Sequence, residues 1–123
     1  MEPKVVSFYT LWPYYHTMLR VAKELKSRNK ELIIVLGGPQ ASATADPTMI
    51  AAPWVDYICT GEGENTIVPF IQSILKNNGQ DLESVLGLYY RKDGAIVHND
   101  LNTPLCDLDT LPYWDDQLCA IYQ

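Results

Sequence analysis

Two glycine-bearing stretches in this 123-residue chain have residue types suited to receiving a ligand: Gly37-Gly38-Pro39 and Gly61-Glu62-Gly63-Glu64. Gly37 and Gly38 carry no Cβ, so the chain can turn there and a flat group can approach the backbone closely. Pro39 has no N–H with which to continue a strand ladder. A Gly-Gly-Pro also serves as a plain strand-ending turn, and the three residues leave both uses open. Glu62 and Glu64 suit a solvated loop or the first turn of a helix. They also set the second stretch apart from a nucleotide-binding loop, which needs donors for phosphate and a following Lys. Cys59, Cys106 and Cys119 are odd in number and form no Cys-x-x-Cys pair, so neither a disulfide framework nor a zinc or iron–sulfur site is indicated. His16 and His98 read as surface imidazoles.

These stretches must be placed by regular elements, and the strongest is the run Leu32-Ile33-Ile34-Val35-Leu36 just before Gly37. Its β-branched, wholly apolar character predicts a strand buried on both faces, the mark of a parallel sheet covered by helices. The chain opens with another strand, Lys4 to Thr10. Trp12-Pro13 breaks it, and Tyr15, Met18, Leu19, Ala22 and Leu25 then recur at helical spacing, which predicts an amphipathic helix up to a polar connection at Ser27 to Lys30. Strand, helix and strand at this spacing make a βαβ unit.

Asp46-Pro47 reads as the cap and first residue of a short helix through Ala51. Trp54 to Cys59 predicts a shorter, mixed strand suited to a sheet edge. A helix follows the second glycine stretch and starts near Asn65 or Thr66, because Pro69 is tolerable only near a first turn. Asp93-Gly94, between Leu86–Arg91 and Ala95–His98, is a two-residue hairpin signal that sets Tyr90 opposite Val97 and Arg91 opposite Ile96. Residues 99–114 read as an extended linker, and Asp115 to Tyr122 as a turn or two of helix. The fold class expected is α/β, a partial doubly wound, flavodoxin-like or Rossmann-like parallel sheet with helices on both faces, followed by a small β-hairpin.

Length and charge bound the function. The size fits one domain, and 47% apolar residues is ordinary for a globular protein. A net charge of -6 argues against nucleic acid or an anionic membrane as main partner, since both need a basic face. No apolar run is long enough to span a bilayer and no signal-peptide pattern opens the chain, so a cytoplasmic location is expected.

The succession Val5-Val6-Ser7-Phe8-Tyr9-Thr10, Val35-Leu36-Gly37-Gly38-Pro39-Gln40-Ala41 and Val55-Asp56-Tyr57-Ile58-Cys59-Thr60-Gly61-Glu62-Gly63-Glu64 resembles the cobalamin-binding domain of B12-dependent radical SAM enzymes. Val85 to Arg91 is similar to that family's small hairpin. Asp107-Leu108-Asp109-Thr110-Leu111-Pro112 is similar to the linker into its radical SAM barrel. The resemblance implies a cobalamin lying over the carboxyl ends of the strands with its nucleotide tail beside the sheet. It implies contacts from Ser7, Tyr9 and Thr10, from Gly37, Gly38 and Pro39, and from Gly61, Glu62 and Gly63. For Ser7, a hydroxyl bonded to local backbone stands beside that reading.

The resemblance further implies residues 1–80 as the carboxyl-terminal part of a cobalamin domain, 81–100 as a hairpin extension and 101–123 as the linker. The family's first two strands and helices have no counterpart, nor has its Asp-x-His-x-x-Gly cobalt-ligand loop or its Cys-x-x-x-Cys-x-x-Cys for a [4Fe–4S] cluster. The expectation is a non-catalytic fragment whose parent, a methyltransferase- or cyclase-like enzyme, uses cobalamin, [4Fe–4S] and S-adenosylmethionine. Its partners would be the missing amino-terminal half-domain and the barrel. Alone, it is expected to bind cobalamin weakly or not at all and to form a homodimer through the bared edge at Lys4 to Thr10. The alternative is a cofactor-free α/β interaction module.

Overall fold

The computed structural model describes residues 3–76, 79–101 and 109. One five-stranded sheet runs through it, with β1 (Val5–Tyr9), β2 (Ile33–Gly37), β3 (Tyr57–Cys59), β4 (Leu88–Lys92) and β5 (Ala95–His98) in consecutive order. The first three strands are parallel and the last two antiparallel. Between β1 and β2 lies α1 (Tyr15–Arg28), entered through a 3-10 turn at Trp12–Tyr14. Two short helices, α2 (Pro39–Ala43) and α3 (Ala45–Ala51), follow β2, and α4 (Gly63–Lys76) follows β3.

Side chains alternate across a strand, so β2 feeds two cores. Ile34 and Leu36 pack with Tyr15 and Ala22 of α1, Met49 of α3 and Ile58, whereas Val35 packs with Phe70 of α4, Val85 and Leu88 on the opposite face. Both layers are closed at the centre; Ile34, Leu36, Met49 and Phe70 are wholly buried. Burying side chains of this size contributes about 1.5–3 kcal/mol each. This is the doubly wound arrangement with helices on both faces that the sequence predicts.

Lys26 of α1 ties the first layer together. Its Nζ donates to both carboxylate oxygens of Asp56, at 2.9 and 2.8 Å, and to the Leu32 carbonyl at 2.7 Å. Asp56 in turn accepts from the Ile34 N–H at 2.7 Å, giving β2 a side-chain partner just before β3 begins.

Three local expectations are corrected. The strand at Tyr57–Cys59 is interior, since β4 pairs antiparallel with it and supplies the outer neighbour that its mixed composition did not announce. Asp46 does not cap the helix: Thr44 is the N-cap and Asp46 stands inside the first turn of α3, because the chain already coils at Pro39 directly after Gly38. Helix α4 begins at Gly63 and holds Pro69 within it. An interior Pro costs about 3 kcal/mol, but here the exposed Pro69 is followed by the fully buried Phe70, and Ile71 and Ile74 pack on the same core.

The hairpin has the predicted register, Tyr90 with Val97 and Arg91 with Ile96, around Asp93 (φ 51°) and Gly94 (φ 81°). It also reaches across to α3: Arg91 donates to the carbonyl of Met49, and Tyr89 Oη to Asp46 at 3.4 Å. At the opposite side of the sheet, no strand among the described residues pairs with the outer edge of β1. The linker expected after Asn99 lies outside the described residues beyond Leu101, apart from Asp109; Cys106, Cys119 and the turn expected at Asp115 to Tyr122 lie outside as well.

Candidate functional site

The carboxyl ends of β1, β2 and β3 point the same way because the three strands are parallel, and the loops that leave them meet at one end of the sheet. A cleft of about 310 Å³ opens there on the α4 side. Ser7 and Tyr9 form its β1 wall, Val35, Gly37 and Gly38 its floor, Cys59 and Gly61 the β3 side, and Gly63 with Ile67 the α4 side. The glycine stretches, far apart in sequence, therefore face one space.

Gly38 is held tightly. Its φ is 94°, and a Cβ there would stand 2.9 Å from the Thr10 carbonyl oxygen and 3.1 Å from the Tyr9 ring. No L side chain fits that position without displacement. Gly37 is the reverse case: a Cβ would meet only the Cys59 carbonyl oxygen, at 3.9 Å, so its missing side chain leaves open room at the cleft floor.

Thr10 explains why the turn holds its shape. Its hydroxyl donates to the Gly37 carbonyl at 2.8 Å and accepts from the Ala41 N–H at 2.9 Å, and its own N–H donates to Gly37 at 2.7 Å. The residue is fully buried and its hydroxyl is occupied. Ser7, by contrast, is exposed, and no hydrogen bond engages its hydroxyl among the described residues. Tyr9 is 66% exposed, and its ring lies along Gly38. Pro39, at the first turn of α2, and Glu62, before α4, are exposed and stand outside the cleft lining.

Cys59 is a lining residue that the glycine motifs did not single out. Burial pushes its thiol up from 9.0 to about 11, so it stays protonated at neutral pH and belongs to the apolar wall. Ile67 was visible only as part of the apolar face of α4, where 40% of its surface remains exposed towards this end. Neither histidine is at the cleft. His16 is exposed on α1, and His98 stacks on Tyr89 at 4.1 Å between ring centroids. No cluster of metal-ligating side chains occurs among the described residues, and no described helix is long and apolar enough to cross a membrane.

The cleft is thus apolar, floored by Cβ-free residues and bordered by the exposed Ser7 and Tyr9, which leaves room for a flat group against the backbone. An uncharacterized methyltransferase of Pyrococcus horikoshii is 31% identical over 111 residues, which cover 90% of this chain and 24% of that protein. The anaerobic magnesium-protoporphyrin IX monomethyl ester cyclase of Rubrivivax gelatinosus is 27% identical over 117 residues, covering 93% and 21%. The chain thus spans about a fifth to a quarter of the curated relatives it matches. Among solved structures, the cobalamin-dependent S-adenosylmethionine radical enzyme OxsB with aqua-cobalamin bound shares the fold at a TM-score of 0.66 and 21% identity, over 83% of this chain and 14% of that one. The B12 binding domain model matches residues 1–71, more than half of the chain and all of the β1-to-α4 unit that builds the cleft except the end of α4. The chain belongs to the B12-binding domain family.

Proposed function

We propose that this chain is the cobalamin-binding portion of a B12-dependent radical SAM enzyme, and that the cleft between β1, Gly37 and α4 receives the nucleotide tail of the cofactor. The observation that carries the reading is the pair Gly37 and Gly38: one is held in a conformation closed to other residues, and the other leaves the cleft floor without a side chain. Cobalamin, when bound, supplies methyl-transfer or one-electron chemistry at its cobalt. The chain's own residues bind and orient. Ser7 offers its hydroxyl to the tail, Tyr9 and Ile67 flank it, Gly61 and Gly63 let the loop approach, and Cys59 keeps the wall apolar and uncharged. Thr10, with its hydroxyl committed, sets the position of Gly37 and Gly38 and does not touch the ligand. Pro39 and Glu62 shape the two loops from outside.

The names of the relatives, a methyltransferase and a cyclase, support a parent with a reaction of one of those types; S-adenosylmethionine and a [4Fe–4S] cluster would supply its radical chemistry from outside this chain. No strand among the described residues pairs with the outer edge of β1, beside the cleft, and that side is the place for an amino-terminal half-domain of the parent. In its absence the same edge is the place for a second copy of the chain, since a strand edge that no described strand pairs offers backbone groups to another chain.

Titration with hydroxocobalamin, followed by corrin absorbance, tests the reading. The 123-residue chain is expected to bind weakly but saturably, with Kd of roughly 0.1–1 mM, and Gly37→Val is expected to abolish binding while leaving the fold intact. Absence of saturable binding, or equal binding by Gly37→Val, would count against it.

A further inference from the structure

Leu101 stands well beyond the family's matched region, yet its side chain is lodged in a notch made by two glycines next to the cleft. A Cβ on Gly61 would stand 2.6 Å from Leu101 Cδ2, and one on Gly87 would stand 2.9 Å from the same atom. Both glycines have positive φ, 75° and 67°, so the notch is built from backbone that other residues rarely adopt.

The chain is brought to this notch by specific bonds. The Gly87 N–H donates to the Asn99 carbonyl at 3.1 Å and the Asn99 N–H to the Leu88 carbonyl at 3.0 Å. Asn99 Nδ2 donates to the carbonyls of Leu82 and Val85, at 2.6 and 2.8 Å. On the other side of the notch, the Gly87 carbonyl accepts both the N–H and the hydroxyl of Thr60, at 2.9 and 2.8 Å. Thr60 is buried and fixed, and Gly61, one residue on, already lines the cleft. A displacement of Gly61 towards Leu101 therefore meets that side chain, and removal of the Leu101 side chain leaves Gly61 without its packing contact on this side.

We propose that Leu101 is a positioning residue for the cleft, holding the loop at Gly61 and coupling its position to the segment from Asn99 to Leu101. Coupling of this kind is reciprocal: what binds against Gly61 restrains Leu101, and what displaces Leu101 alters the cleft. The inference about the loop stands on the notch alone, and its ligand-linked part rests on the cobalamin reading.

Hydrogen–deuterium exchange on the 123-residue chain without ligand tests the first part. Leu101→Ala is expected to raise exchange about tenfold in peptides spanning residues 60–63 and 86–88, with Ile34 to Leu36 unchanged, as a local opening requires. Leu101→Met, which refills the notch, is expected to restore the wild-type rates. Unchanged exchange at residues 60–63, or an equal rise at Ile34 to Leu36, would overturn the proposal. With saturating hydroxocobalamin, the wild-type chain is expected to gain protection at residues 99–101. Binding without that protection would refute the coupling. Failure to bind would tell against the cobalamin reading, while the ligand-free exchange would still decide the role of Leu101.

Discussion

The hydroxyl of Thr10, at the end of β1, donates at 2.8 Å to the carbonyl of Gly37 at the end of β2, and this bond lashes together the two strand ends that frame the cleft. The same oxygen accepts from Ala41 at 2.9 Å, so the loop after Gly38 is fixed by a residue that lies 31 positions earlier. Replacing Thr10 by Val keeps the shape and leaves the Ala41 N–H without its partner in a buried site. A loss of about 1–3 kcal/mol is expected, read as a lower urea midpoint with unchanged slope. Thr10→Ser keeps both bonds and should lose much less.

Gly38→Ala is expected to be worse than an ordinary Gly-to-Ala change. A residue with a Cβ is strained at a φ of 94°, and the Cβ would press on the Thr10 backbone, which cannot move without breaking its bonds to Gly37. A cost of about 1–3 kcal/mol follows. Thermal unfolding of the two forms, compared with Gly94→Ala at the open hairpin turn as a control for positive φ alone, measures the contribution of the close approach.

The outer edge of β1 should drive self-association. Ile33 donates to the Lys4 carbonyl and Thr10 donates to Gly37, so the even-numbered residues of the strand bond inward and Val5, Ser7 and Tyr9 present their backbone groups outward. Sedimentation at micromolar concentration is expected to show a dimer, and Ser7→Lys, which sets a charge on the cleft face of this outer strand, is expected to shift it to monomer. A wild-type monomer would remove this prediction.

Cys59 gives a pH-dependent signal. Its thiol is raised from 9.0 to about 11 by burial, so the folded state holds the proton that the unfolded state releases. Stability from this group is fully present below pH 9 and falls as pH rises from 9 towards 11. At pH 8 the folded thiolate fraction is lower than that of an unperturbed thiol by roughly a hundredfold. Alkylation of the Cys59 peptide, followed by mass spectrometry, should be slowed to at least that degree in the folded chain and should recover in urea.

What the sequence determined by itself was local. The run from Leu32 to Leu36 is apolar on both faces and so had to be an interior strand, the spacing from Tyr15 to Leu25 could bury only one helical face, and Asp93-Gly94 fixed the hairpin register because both turn residues adopt positive φ. The glycine stretches were legible too, since a missing Cβ is a property of the residue and not of its surroundings. Tertiary structure decided which of these residues meet. That Tyr57–Cys59 lies inside the sheet depends on a hairpin some thirty residues later pairing with it, and the helical start at Gly63 depends on buried Phe70 outweighing Pro69. The committed hydroxyl of Thr10, the thiol of Cys59 in the cleft wall and the side chain of Leu101 between Gly61 and Gly87 all rest on partners distant in the chain. Periodicity reports the face a side chain takes and the backbone angles a residue tolerates; it carries no record of the long-range neighbour, which is fixed only when hydrophobic burial closes the sheet and its two helical layers into one packing.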